Sequence, residues 1–144
     1  METIYFYNEN EEYGYLSNYY VCSIYVDGKY YKSNEHYYQS QKSLDPDFAE
    51  KIRNAETCDD AKNLGNSMDC PIRPDWNAYR NVAMTKALCA KFTQHSNLKK
   101  MLLETGDALL VENSRHDYYW GCGEDKSGKN MLGRLLVATR DSLR

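Results

Sequence analysis

Asp27-Gly28-Lys29-Tyr30-Tyr31-Lys32-Ser33-Asn34-Glu35-His36-Tyr37-Tyr38-Gln39-Ser40-Gln41-Lys42 changes character halfway along. Asp-Gly between two aromatic and β-branched runs is a strong β-hairpin signal. It predicts a strand over Tyr20–Val26, a tight turn, and a second strand over Lys29–Lys32. Ser33 then has the chemistry of a helix N-cap, and residues from Glu35 to Leu44 read as a helix that stops ahead of Pro46. Three- and four-residue spacing puts Glu35, Tyr38, Gln39 and Lys42 on one face of that helix. A hairpin running straight into a helix points to an α+β fold.

The flanking sequence extends this pattern. Ile4–Tyr7 reads as a short strand, followed by a polar loop from Asn8 to Asn18. A short helix is expected over Asp47–Asn54. Thr57-x-x-Asp60 then resembles a capping box opening a helix that ends near Gly65. A loop containing Pro71 and Pro74 leads to the longest helix, Asp75–Gln94, whose inner stripe is Tyr79, Ala83, Ala87 and Ala90. Asn97–Glu104 reads as helical and closes at Gly106. Ala108–Glu112 is a short apolar strand, and a last helix starts near Asn130 with Leu132, Leu135, Leu136 and Leu143 facing inward. The expectation is a compact, mostly helical single domain spanning residues 1–144, with a small antiparallel sheet.

A chain of 144 residues buries roughly two thirds of its unfolded surface and needs no metal or disulfide staple. Its cysteines, Cys22, Cys58, Cys70, Cys89 and Cys122, are odd in number and include no CxxC pair. With no apolar leader segment, they fit a reduced, cytoplasmic protein. No apolar run is long enough to span a membrane. The formal charge of −3 is spread along the chain, which disfavours binding to long nucleic acids but leaves room for a small anion held by local cations. Of the 19 aromatic residues 14 are Tyr, and 11 of these precede residue 40. Strands with half-buried tyrosine faces account for that bias; a ring-lined pocket for a flat heterocycle is compatible with it.

A second stretch carries chemistry. Ser114-Arg115-His116-Asp117-Tyr118-Tyr119-Trp120-Gly121-Cys122-Gly123 leads into Gly128-Lys129-Asn130-Met131-Leu132-Gly133. It sets a carboxylate, an imidazole and an indole beside glycines that allow close backbone approach. The stretch from Ser33 to Lys42 offers an acid, an imidazole and rings again, so the two are expected to serve one site. Other chemistries fit less well. Gly123 to Lys129 has the spacing of a phosphate loop, but Asn130 replaces the required Ser or Thr, and Glu124 and Asp125 would repel a triphosphate. His36, His95 and His116 lack metal-ligand spacing. Cys122 between two glycines is better read as small filler than as a nucleophile. Glu35 near a helix start and Asp117 in a turn each have a structural explanation. The two indoles change the balance, because Trp76 follows Asp75 and Trp120 follows Asp117 by three residues. Carboxylates beside flat rings suit cleavage of a sugar–heterocycle bond: rings hold the base, one acid protonates it or orients water, and a carboxylate stabilises oxocarbenium-like charge.

At these residues the chain resembles the NADAR, or YbiA-like, family of N-glycosidases. The shared words include Leu16-Ser17-Asn18-Tyr19-Tyr20, Glu35-His36-Tyr37-Tyr38-Gln39 with Lys42, Ala61-Lys62-x-Leu64-Gly65, and Arg73-Pro74-Asp75-Trp76. They continue with Lys91-Phe92, Thr105-Gly106-Asp107, Leu110-Val111-Glu112, Asp117-Tyr118-Tyr119-Trp120-Gly121-x-Gly123 and Asn130-x-Leu132-Gly133. The resemblance implies hydrolysis of phosphoribosylaminopyrimidines, intermediates of the riboflavin pathway, with release of ribose 5-phosphate. Some relatives act instead on ADP-ribose attached to guanine or on related NAD-derived compounds, so a long nucleic acid is expected as partner only when it is ADP-ribosylated. It further implies Glu35, Asp117 and Trp120 as catalytic residues, and Asn18, Tyr38, Lys42, Arg73, Trp76, Gly121 and Asn130 as substrate contacts, with no cofactor and no metal. Two departures stand out: Tyr19-Tyr20-Val21 replaces Phe-Tyr-Pro, and Asn66 stands where many relatives carry Arg, removing one anion contact.

Overall fold

The computed structural model describes residues 2–144. In chain order the elements are β1 (Thr3–Phe6), a 3-10 helix (Gly14–Leu16), β2 (Val21–Val26), β3 (Lys29–Ser33), α1 (Asn34–Ser40) and α2 (Pro46–Arg53). They continue with α3 (Cys58–Gly65), α4 (Trp76–Gln94), α5 (Ser96–Glu104), β4 (Leu109–Glu112) and α6 (Met131–Ser142). The fold is α+β, as expected. Contacts group the chain into two units, one made by the residues up to Tyr20 with those from Phe92 onward, the other by Val21–Lys91.

In the Val21–Lys91 unit, β2 and β3 form the expected antiparallel hairpin, with Tyr25 opposite Tyr30 and Val26 opposite Lys29. Asp27 at φ 51° and Gly28 at φ 86° both occupy the left-handed region, as a two-residue turn of right-handed twist requires. Ser33 ends β3 with extended dihedrals, and its side chain accepts the His36 backbone N–H, so strand and helix meet at one residue. The Asp45 and Thr57 side chains cap α2 and α3 in the same way.

The Tyr side chains divide by face: Tyr25 and Tyr30 stay exposed, while Tyr31 is buried edge-on to Tyr37 with centroids 5.0 Å apart. Ile24, Tyr31 and Tyr37 pack on Ala83, Ala87 and Ala90 of α4, with Tyr79 at the margin. These small residues let the helix lie close against the hairpin. Ile52, Ala55 and Ala61 make a second cluster with Phe48 and Leu64.

Helix α1 ends at Ser40 rather than reaching Leu44. Ser40 Oγ donates to the Tyr37 carbonyl at 2.7 Å, and the last turn tightens, with Lys42 N–H bonded to Gln39 O. The chain is then drawn off the helical path by a bridge between Ser43 and Ile72.

In the other unit, β1 and β4 pair in parallel, Thr3 to Leu109 through Phe6 to Glu112. This second, parallel pair adds to the small antiparallel sheet expected from sequence. Helix α6 buries Leu132 and Leu136, whereas Leu135 and Leu143 are only half-buried and Thr139 and Arg140 take inward positions. Arg140 Nη1 donates to Thr105 Oγ1 at 2.9 Å and to Ala108 O at 2.8 Å, tying α6 to the turn between α5 and β4. Among the described residues, no helix is long and apolar enough to cross a membrane.

Ser33 is fully buried, and its hydroxyl also meets His36 Nδ1 at 2.7 Å and Cys58 Sγ at 3.3 Å. Ser33→Ala is expected to lower stability by about 1–2 kcal/mol, the worth of a helix N-cap. Urea unfolding should show this as a lower midpoint with an unchanged slope.

Candidate functional site

Helix α1 is polar where a core helix would be apolar. Glu35 is 7% exposed and Gln39 3% exposed, His36 and Ser40 are buried beside them, and Lys42, just past the helix end, is 7% exposed. Buried polar groups must be hydrogen-bonded or paid for in stability. Glu35 Oε2 accepts from Gln39 Nε2 at 2.6 Å, one turn along the same helix. Lys42 Nζ donates to Asn66 Oδ1 at 2.8 Å and lies 5.9 Å from the centre of the Tyr38 ring. Burial lowers the Lys42 pKa, while the negative charge of Glu35 works the other way. Tyr38 in turn faces the Trp76 indole, with centroids 5.1 Å apart and planes at 58°.

Arg73 joins this group through its backbone, whose N–H donates to Lys42 O at 2.7 Å. Its guanidinium is gripped by Asp75, Nε to Oδ1 at 2.6 Å and Nη2 to Oδ2 at 3.1 Å, and lies 3.9 Å from the centre of the Tyr79 ring. The structure therefore gathers Glu35, Tyr38, Lys42, Arg73 and Trp76 on neighbouring segments of one unit. His36 has a structural role: Nδ1 bonds Ser33 Oγ, Nε2 meets Ala55 O at 3.0 Å, and burial depresses its pKa.

The remaining expected site residues belong to the other unit. Asn18 is buried just after the 3-10 helix. Residues 113–130 contain no regular element, yet their backbone is heavily bonded. Asp117 Oδ1 accepts from Tyr119 N at 2.9 Å and Trp120 N at 2.8 Å, forming a side-chain turn, and neither of these bonds uses Oδ2. Trp120 stands edge-on to Tyr119, with centroids 4.9 Å apart. The carbonyls of Tyr119 and Trp120 accept from Met131 N and Leu132 N at 2.9 and 3.1 Å. The aromatic turn thus satisfies the first donors of α6, which has no side-chain cap.

Gly121 and Asn130 serve the same closure. A Cβ at Gly121 would lie 2.9 Å from Ser114 Cβ and 3.0 Å from Asp117 O, so this glycine admits its own loop. Asn130, left-handed at φ 50°, accepts from Glu112 N at 2.9 Å and donates to Leu110 O at 2.9 Å. The stretch with phosphate-loop spacing is a turn in which Gly128 N bonds Cys122 O at 2.7 Å, and Cys122 is buried. Among the described residues, no three His, Cys, Asp or Glu side chains gather as metal ligands would.

Three residues of interest were not singled out as site residues from sequence. Gln39 and Asn66 contact Glu35 and Lys42, respectively. The α1 face pointed to Gln39, while Asn66 was marked only as a departure, standing where many relatives carry Arg. The third, Lys91, is fully buried. Burial pushes its pKa down to about 8, against the opposing influence of Cys22 and Cys58. Its sequence signals were a lysine late in the small-residue stripe of a long helix and its place in the shared word Lys91-Phe92.

Comparison with known proteins shows the family and the fold. The family model described as NADAR domain matches residues 5–144. N-glycosidase YbiA of Escherichia coli (strain K12) is 42% identical over 138 residues, covering 96% of this chain and 86% of that protein. The NMR structure of E. coli YbiA superposes with a TM-score of 0.92 at 42% identity, covering 99% of this chain and 84% of that one. Riboflavin biosynthesis protein VVA0006 of Vibrio vulnificus (strain YJ016) is 42% identical over 142 residues, 99% of this chain but 39% of that protein.

The two Asn130 hydrogen bonds join the start of α6 to β4. Asn130→Ala should therefore cost about 1–3 kcal/mol of stability, the penalty for leaving partly buried backbone groups unpaired. Thermal unfolding is the check, and a wild-type melting temperature would contradict the closure role.

Proposed function

The chain belongs to the NADAR family, and from that premise we propose that it cleaves the C–N glycosidic bond of phosphoribosylated aminopyrimidines, releasing ribose 5-phosphate. That it is an N-glycosidase follows from its relatives; the substrate is our reading. One observation carries it most: Glu35 is a buried carboxylate held at 2.6 Å by a side-chain amide, on a helix that also carries Tyr38, whose ring faces Trp76, with the buried Lys42 just past the helix end. A buried acid on a segment that also carries aromatic rings suits protonating or displacing a flat base.

In this reading the whole chain, residues 1–144, acts as one N-glycosidase domain. Glu35 and Asp117 divide the general acid, general base and charge-stabilising work. Water adds to the anomeric carbon as the C–N bond breaks and gives a proton to the carboxylate acting as base. The bonding pair leaves with the base, which takes up a proton from one of the acids. Trp76, Tyr38 and Trp120 hold base and sugar by stacking. Lys42 and Arg73 meet the phosphate, while Asn18, Gly121 and Asn130 shape the surroundings. The roles need neither metal nor cofactor. A silent binder of anionic ligands gains nothing from two acids, so the enzyme reading is preferred over a binding module.

One observation favours a second substrate. Arg73 is already held by Asp75, and Lys42 by Asn66, so both cations have an existing partner to exchange. A base carrying ADP-ribose, which depends less on a terminal monophosphate, is the alternative. Chromatography of reactions with each candidate separates the two: a ribose 5-phosphate product supports the first and ADP-ribose the second. Glu35→Gln and Asp117→Asn should each lower kcat by at least about 100-fold, as loss of a general acid or base does. The Asn variant keeps an acceptor for the two turn N–H groups, so its loss would read charge rather than fold. Trp120→Ala should cost ~1–3 kcal/mol in kcat/KM, the worth of a stacked ring.

A further inference from the structure

We infer that Gln39 is a positioning residue that fixes the Glu35 carboxylate, and that Gly65 is glycine because any larger residue would displace the Gln39 amide. The inference rests on the reading of Glu35 as a catalytic acid and adds to it the machinery that aims the acid. Glu35 and Gln39 sit one turn apart on α1, and the Nε2–H···Oε2 bond of 2.6 Å is short, as charge-assisted bonds are. A carboxylate on a side chain with three torsions is aimed only if something holds its far end. Gln39 supplies that hold from within the same helix.

The other end of the amide explains Gly65. This residue closes α3 without a positive φ, so glycine's conformational freedom is not what the position needs. Alanine there would favour the helix by up to about 1 kcal/mol. Yet a Cβ at Gly65 would overlap Gln39 Oε1 and would lie 3.0 Å from its Cδ and 3.1 Å from its Cβ. The glycine therefore gives up helix propensity for space, and the side chain filling that space is the one holding Glu35. Packing alone does not account for Gln39. Its Oε1 is buried without a hydrogen-bond partner among the described residues, a cost of about 1–3 kcal/mol that an apolar side chain of the same length would avoid.

The test measures kcat and KM on a phosphoribosylated aminopyrimidine, with thermal unfolding of each variant. Gln39→Met keeps the length and loses the donor. It is expected to lower kcat on the order of 10- to 100-fold, the scale of a misaimed catalytic group, with KM within about 2-fold. Gly65→Ala keeps Gln39 but pushes its amide, and should lower kcat in the same way. In a Gln39→Ala background the two shortest obstacles to the new methyl are gone, so adding Gly65→Ala should cost kcat nothing more. That non-additivity is the signature of one coupled device. Wild-type kcat in folded Gln39→Met would overturn the proposal. So would a Gly65→Ala loss of equal size in both backgrounds, and that comparison decides the matter if Gln39→Met does not fold. Glu35→Gln run in parallel separates the two levels. If that variant is fully active, the catalytic reading itself fails; if it is inactive while Gln39→Met is unimpaired, only the positioning role fails.

Discussion

A single hydroxyl sets the geometry of the Val21–Lys91 unit. Ser33 pairs with Val21 as the last residue of β3, and its Oγ accepts the His36 N–H in the first turn of α1. The same oxygen reaches His36 and, across to α3, Cys58. Because the site is fully buried, each of these bonds replaces one that water would make in the unfolded chain, and losing any of them leaves a polar group without compensation. The direction in which α1 leaves the hairpin follows from this, and with it the face that carries Glu35, Tyr38 and Gln39. His36 completes the bracket by bonding Ala55 O just ahead of α3. Residues 33 to 36 thus act as the joint of this unit, with the acid placed inside it.

Much of this was legible because the signals are local. Asp27-Gly28 can hardly do anything but turn, and Ser33 and Thr57 have short oxygens positioned to cap. The stripe of alanines on α4 announced a close contact, and the hairpin core fills it. The parallel pairing of β1 with β4 was not legible. It joins Thr3 to Leu109 across most of the chain, and nothing in four residues of alternating burial names the partner. The 3-10 helix at Gly14–Leu16 lay hidden for a related reason. A polar stretch surrounds it, yet Tyr15 and Leu16 are buried, with Tyr15 Oη bonded to Met101 O at 3.1 Å. Contacts decided at long range leave little trace in local composition.

The candidate site residues were chosen for their chemistry, and the structure adds what each of them touches. The acids and indoles stood out because core packing does not call for them. What each neighbour does could not be read from residue type. His36 looked like chemistry and is a brace. Gly121 and Asn130 looked like ligand contacts, and the structure gives both a task in folding residues 113–130 onto themselves and onto β4. In that segment the two roles are hard to separate in principle. The carbonyls of Tyr119 and Trp120 cap α6, so the backbone that carries the indole is fixed by the helix that follows it.

The strongest argument that α1 is built for function is energetic. A helix buried this deeply gains most from apolar side chains, and replacing buried charged or polar groups by apolar ones of similar size is often neutral or stabilising. Here Asn34, Glu35, His36, Gln39 and Ser40 are all buried within one short helix. Neither amide atom of Asn34 finds a hydrogen-bond partner among the described residues, and the same holds for Gln39 Oε1. Each such group costs about 1–3 kcal/mol against a total stability of only about 5–15 kcal/mol for a domain. Selection for stability alone would remove them. Their concentration around one carboxylate, beside a ring pair and a buried lysine, is the pattern expected where local rules of folding yield to a reaction.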